Sequence, residues 1–147
     1  MNLSAEVYKH KLTVEKYCKE FGIPDQVMVI LAIMQVESGG KGGDVMQASE
    51  SLGLPVNTLD TEASIKQGVK YFASLLKSMK AAGVDLNTAI QSYNYGGGFI
   101  DYVAKHGKKY TLELATAFAK EKSGGKKVTY INAVAKDGWR YAYGNMY

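Results

Sequence analysis

Residues 27–40 read VMVILAIMQVESGG. Eight consecutive apolar residues, 27–34, leave no polar stripe. A helix that is apolar nearly all round belongs at the centre of a fold rather than on its surface. The signals on either side agree. Pro24 suits a first helical turn and Asp25 its positive end, while SGGKGG (38–43) breaks the helix. The reading is a central buried helix over 25–37 that ends on Glu37. An acid at that position is costly unless it is neutral, paired or useful.

Working outward, the periodicity stays helical. Residues 4–21 place Val7, Leu12, Val14, Tyr17, Cys18 and Phe21 towards one side, and Gly22 stops that helix. DVMQASESLG (44–53) holds a short helical piece. Thr61 and Ser64 open a long amphipathic helix to Met79, carrying Ile65, Val69, Phe72, Leu75 and Leu76. Asp85 or Asn87 caps another that ends at YNYGGG (93–98), and helical segments follow at 98–106, 111–122 and about 130–135. KSGGKK (122–127) reads as a loop, KKVTYI as an ambiguous short piece, and Trp139 as part of a terminal helix on the core. The fold class is all-α, with one domain over 1–147.

Composition bounds the function. The 147 residues are 46% hydrophobic and 22% charged, ordinary for a globular domain large enough to hold a core. The single Cys18 excludes an internal disulfide, and its spacing from Val14 and Phe21 reads as helix packing. The formal charge is +4, with seventeen of eighteen basic residues Lys and Arg140 the one Arg. Sequence readers of DNA lean on Arg, so this balance disfavours a nucleic-acid partner. A Lys-rich surface suits diffuse attraction to an anionic polymer, or no more than solvation of helix faces. The eight-residue apolar run is far short of the roughly 20 needed to cross a bilayer. Residues 1–17 lack the apolar core of an export signal, which leaves an intracellular chain and a mature or excised domain both open. No His, Cys and acid cluster has metal-ligand spacing, and GGKGGD lacks the ending of a phosphate loop. No metal or cofactor is expected.

Three stretches stand in order: VESGGKGGDVMQASES (36–51), TEASIKQGVKYFASLL (61–76) and AIQSYNYGGG (89–98). In this order and separation the chain resembles the lysozyme-like superfamily of goose-type lysozymes and soluble lytic transglycosylases. Within it, the resemblance is to the muramidase domains of Gram-positive bifunctional cell-wall hydrolases, including those of conjugative elements. The resemblance implies an all-α lysozyme-like domain that cleaves the MurNAc–GlcNAc β-1,4 bond of peptidoglycan. It implies action outside the cell at the wall, on glycan strands, beside a linked cysteine endopeptidase domain in a longer protein. A monomer with no membrane segment and no nucleic-acid partner is expected.

The residues support this chemistry on their own terms. Burial and the negative end of a helix both disfavour a Glu37 anion, and protonating a glycosidic oxygen needs a protonated acid. Glu37 is therefore the candidate general acid. Asp44, seven residues on across a glycine-rich turn, is the candidate second carboxylate that handles water, and equally an N-cap for the segment that follows. Glu50 and Glu62 are weaker candidates, Glu62 reading as a first-turn acid. Ser38, Gln47, Ser49 and Ser51 offer hydroxyl and amide partners for sugar groups, and Met46 an apolar wall or core filler. Tyr93 and Asn94 match the family's YN pair beside the acid. Tyr95 replaces the Ala of many relatives and suggests a different local wall, while Gly96–Gly98 lets backbone approach a glycan or simply ends a helix. If the sugar's own hydroxyl attacks in place of water, the same residues make a lytic transglycosylase. A non-catalytic glycan-binding module is the remaining alternative, which turbidity loss of cell walls distinguishes.

Overall fold

A computed structural model describes residues 2–122 and the backbone of 127–128 and 138–139. Two compact units divide the chain, Met1–Ser74 and Leu75–Tyr147.

The first unit begins with α1 (Ala5–Tyr8) and α2 (Lys11–Glu20). Ser4 caps α1 by accepting from the Val7 amide. The single helix expected over 4–21 is thus two. The break falls at Lys9–His10, and it turns Leu12 outward, 79% exposed instead of facing the core. Gly22, at φ +75°, ends α2. A 3-10 turn at Pro24–Gln26 then feeds α3 (Val27–Glu37). Ile30, Leu31, Ile33 and Met34 of α3 are buried, each worth about 2 kcal/mol of burial. The all-round burial expected of α3 does not hold at its first turn, where Met28 is half-exposed.

A loop over 38–60 contains a 3-10 turn at Ser49–Leu52 and leads to α4 (Thr61–Ala82). Asp60 starts α4, its carboxylate accepting the Ala63 amide at 2.9 Å. Ser64, Ile65, Val69 and Phe72 are buried at helical spacing. Glu62, in the first turn, accepts from the Tyr17 hydroxyl at 2.7 Å and from Lys16 at 3.2 Å, clipping α2 to α4. Cys18 is fully buried against this core, and burial, with a smaller push from Asp25, raises its thiol to about 11. It packs as a small apolar residue.

In the second unit Asp85 caps α5 (Leu86–Tyr95), which Gly96 ends at φ +87°. After it come α6 (Gly98–Ala104) and α7 (Leu112–Lys122), the latter started by Thr111, whose hydroxyl accepts the Leu114 amide. Tyr95, Phe99 and Phe118 form the centre of this unit. Tyr95 meets Phe99 edge-on at 5.3 Å and stacks with Phe118 at 5.5 Å. Two two-residue strands, β1 (Lys127–Val128) and β2 (Gly138–Trp139), pair antiparallel. Residues 138–139 are therefore strand, not the terminal helix expected. The helical piece expected near 130–135 and the tyrosine-rich end beyond Trp139 lie outside the described residues. Among the described residues no helix is long and apolar enough to cross a membrane.

Candidate functional site

Glu37 is the last residue of α3 and is half-buried. The turn that carries it is fastened on two sides. Towards α1, the Ser4 amide donates to Gln35 Oε1 at 2.8 Å, and His10 Nε2 donates to the Gly40 carbonyl at 3.1 Å. Gly40 itself sits at φ +77°, where a Cβ would come within 2.6 Å of the Glu6 carbonyl group. Only glycine allows α1 to lie that close. Towards the loop, Ser38 Oγ donates to the Val45 carbonyl at 2.6 Å and accepts the Gly40 amide at 3.0 Å.

Asp44 is 3% exposed. Its Oδ1 accepts the Ala48 amide at 2.9 Å and the Ser64 hydroxyl at 2.6 Å. Its Oδ2 accepts the Ser49 hydroxyl at 2.6 Å and the Ser49 amide at 3.3 Å. Burial alone raises this carboxyl, but these four bonds together outweigh it and hold Asp44 below its ordinary 3.8. A carboxylate has about four acceptor positions, and all are filled from within the protein. Such a group organises a loop. It has no lone pair left with which to draw a proton from water.

The other expected binding residues in this loop divide. Met46 is fully buried, its amide donating to Ser64 Oγ at 2.9 Å. Ser49 is fully buried too, its hydroxyl also accepting the Thr58 and Leu59 amides at 3.1 and 3.0 Å. Neither reaches the surface in this structure, so the sugar wall expected of Met46 and the sugar hydrogen bond expected of Ser49 are not presented there. Ser51 is exposed, bonded to the Ala48 carbonyl and to Gln67. Gln47 is half-buried with left-handed backbone, φ +47°, its amide donating to the Asp44 carbonyl and to Asn57 Oδ1, both at 2.9 Å. Left-handed backbone at such a residue costs on the order of 1 kcal/mol, which the two bonds offset.

Tyr93 and Asn94 lie on the last turn of α5 in the second unit, 8% and 7% exposed. Asn94 Oδ1 is buried with no hydrogen-bond partner among the described residues. Tyr95, 1% exposed, belongs to the aromatic core and forms no outer wall, contrary to expectation. Glu50 is exposed on its 3-10 turn, and Glu62 is the clip between α2 and α4. Among the described residues no three His, Cys, Asp or Glu converge on a metal position.

Ser64, Gln35 and Ser4 escaped sequence reasoning. Ser64 lies 20 residues from the carboxylate it serves, and Ser4 lies 31 from Gln35, so spacing carries no trace of either pairing.

A helical unit whose buried helix ends on a glutamate held by a tight glycine turn is the frame of a lysozyme-like domain. The chain belongs to the Lysozyme-like family, whose model matches residues 4–147. It is 46% identical over 121 residues to the bifunctional muramidase/DL-endopeptidase CwlT of Bacillus subtilis, covering 82% of this chain and 36% of that protein. It is 42% identical over 135 residues to the uncharacterized membrane protein YocA of the same organism, covering 91% of this chain and 60% of that protein. A crystal structure from Staphylococcus aureus subsp. aureus Mu50, described as similar to lipoprotein, NLP/P60 family, superposes with a TM-score of 0.91 at 62% identity. That match covers 99% of this chain and 50% of the other. The chain thus spans between about a third and three-fifths of these relatives' own length.

Proposed function

We propose that this chain cleaves the glycan strands of peptidoglycan at the MurNAc–GlcNAc β-1,4 bond, as a muramidase, with Glu37 as general acid. The observation that carries the reading is Glu37 itself, a half-buried acid ending α3 on a turn locked by Ser38 and Gly40. Membership of the Lysozyme-like family and the muramidase named among its relatives support the substrate. Glu37 gives its proton to the leaving glycosidic oxygen as the bond breaks. Ser38, Gln47 and Ser51 border the same loop and supply polar groups to the sugar. Tyr93 and Asn94 serve the N-acetyl group in this reading, and the unmatched Asn94 Oδ1 is an acceptor suited to an amide N–H. Asp44, Met46 and Ser49 act indirectly in this reading, by fixing the loop. The site of action is the cell wall outside the cell, beside a linked cysteine endopeptidase domain in the longer protein.

Glu37→Gln keeps size and polarity and removes the titrating proton. Loss of turbidity of purified cell walls should slow by about 10²-fold or more while the melting temperature holds. Retention of most of the activity overturns the reading.

One observation favours a second reading. The filled acceptors of Asp44 leave no evident carboxylate to handle water. A lytic transglycosylase needs none, because the sugar's own hydroxyl attacks. The masses of released muropeptides decide: reducing-end MurNAc products support hydrolysis, and anhydro products lighter by one water support transglycosylation.

A further inference from the structure

Charge is divided unequally between the two units. Residues 1–74 carry seven Lys against nine Asp and Glu, a net −2; residues 75–147 carry ten Lys and one Arg against five Asp and Glu, a net +6. Among the described residues the ion pairs are Lys9–Glu6, Lys11–Glu15 and Lys16–Glu62, all in the first unit. In the second unit Lys77, Lys80, Lys105, Lys108 and Lys109 are exposed, and no ion pair joins any of them to a carboxylate among the described residues.

These cations are brought together by the fold. The segment KHGKK (105–109) closes α6, with the Lys108 amide on the Val103 carbonyl at 2.9 Å. Lys108 takes the left-handed conformation, φ +64°. Its side chain runs over Gly83, with Nζ 3.9 Å from where a Cβ would stand there. Gly83 in turn follows the last turn of α4, which carries Lys80, and Lys77 is one turn further back. Two residues past Gly83, Asp85 accepts the Tyr110 amide at 3.0 and 3.1 Å, fastening the segment a second time. Asp85 is the acid at this junction, and its carboxylate is committed to Thr88 and Tyr110. The remaining acids nearby, Asp101 and Glu113, are exposed in the first turns of α6 and α7.

Cations gathered in excess of the acids near them repel one another, and an anion relieves that repulsion. The residue type narrows the anion. Arg forks match planar carboxylates, phosphates and base edges at fixed geometry, whereas Lys is a compact point charge on a flexible stem, suited to the diffuse negative charge along a flexible phosphodiester chain. Insertion into a membrane surface calls for a broad apolar face beside the cations. The exposed large apolar residues described in this unit are Leu86 and Leu112, each the first residue of its helix. We infer that Lys77, Lys80, Lys105, Lys108 and Lys109 form a docking surface for a polymer of repeating phosphodiesters carried on the wall, which holds the domain on its substrate between cleavages. This rests on the muramidase reading for its setting.

The test uses the whole chain carrying Glu37→Gln, so that the wall is not consumed. Binding is measured by co-sedimentation with walls bearing phosphodiester polymer and with the same walls stripped by hydrofluoric acid. Binding to untreated walls should fall about tenfold between about 50 and 250 mM salt, and about tenfold again in Lys105→Gln/Lys108→Gln/Lys109→Gln. On stripped walls the two chains should bind alike and weakly. Lys77→Gln/Lys80→Gln, at exposed positions of α4, should show the same loss with no demand on the left-handed turn. The inference is overturned if these variants bind untreated walls as tightly as the parent, or if stripped walls keep the parent's binding. It is also overturned if phosphatidylglycerol vesicles or duplex DNA capture the chain as well as untreated walls do. Failure of the muramidase reading looks different: the unsubstituted chain binds untreated walls through these lysines and cuts none.

Discussion

Ser38 Oγ donates to the Val45 carbonyl at 2.6 Å, so the residue after Glu37 is tied to the residue after Asp44. Through this one hydroxyl the end of α3 and the start of the buried loop move together. Ser38→Ala breaks that bond and leaves the Gly40 amide without its 3.0 Å acceptor. The expected cost is about 1–2 kcal/mol of stability. Because the loosened turn carries Glu37, turnover should fall more than substrate binding. Melting curves and a comparison of kcat with KM check this, and an unchanged kcat refutes the coupling.

Asp44 should contribute stability with a defined pH dependence. Its carboxyl lies below its ordinary 3.8 when folded, so the folded state binds its proton less readily than the unfolded chain. The stabilisation is complete above about pH 5 and is lost as pH falls through 3.8 towards the folded value. Asp44→Asn removes two acceptor positions in a buried cluster and should cost about 2–3 kcal/mol at neutral pH. The gap in melting temperature between parent and variant should hold above about pH 5 and narrow as pH falls below 3.8. A gap that stays constant contradicts an ionised Asp44.

Cys18 should be silent in the folded protein. It is fully buried and its thiol is raised to about 11, so almost no thiolate exists at neutral pH. A thiol reagent at pH 7–8 should label it only as fast as the first unit opens, with labelling complete in denaturant. Rapid labelling of the native chain refutes the packing described.

Elements whose signals are local were legible in the sequence. The apolar run with Pro24 before it and glycines after it marks α3, Asp85 is one of the two cap candidates read for α5, and the 3.6-residue spacing marks α4. What depended on distant partners was not. Helical spacing runs unbroken through Lys9 and His10, so the break there, and with it the exposure of Leu12, has no local mark. Asp44 could be read as a water-handling carboxylate or a cap because the Ser64 hydroxyl on it comes from another helix. Tyr95 was read as part of a motif, yet its ring belongs with Phe99 and Phe118, one of them 23 residues away. Asp44, a candidate for handling water, and Tyr95, expected to alter the local wall, both have structural roles instead. Hydrolysis is supported by the muramidase named among the relatives, and the product masses test it.

Gly40 offers a test of whether rigidity behind Glu37 matters. It is buried at φ +77°, and a Cβ there would stand 2.6 Å from the Glu6 carbonyl group and 2.7 Å from the Val7 amide nitrogen. Those are backbone atoms of α1, which cannot swing aside as a side-chain tip can. Gly40→Ala must therefore push α1 away from the end of α3 and also accept a left-handed alanine. The two effects together should cost about 3 kcal/mol. The displacement also strains the His10 and Ser4 bonds to this turn. Gly42, at φ +83° in the same loop, has nothing within 4 Å of its Cβ position, so Gly42→Ala isolates the conformational cost from the packing cost. Gly42→Ala should lose only about 1 kcal/mol and keep its activity. Gly40→Ala should melt markedly lower and, below its melting temperature, cut walls more slowly than its folded fraction accounts for. Equal behaviour of the two variants would mean that the packing of α1 on the Glu37 turn contributes nothing.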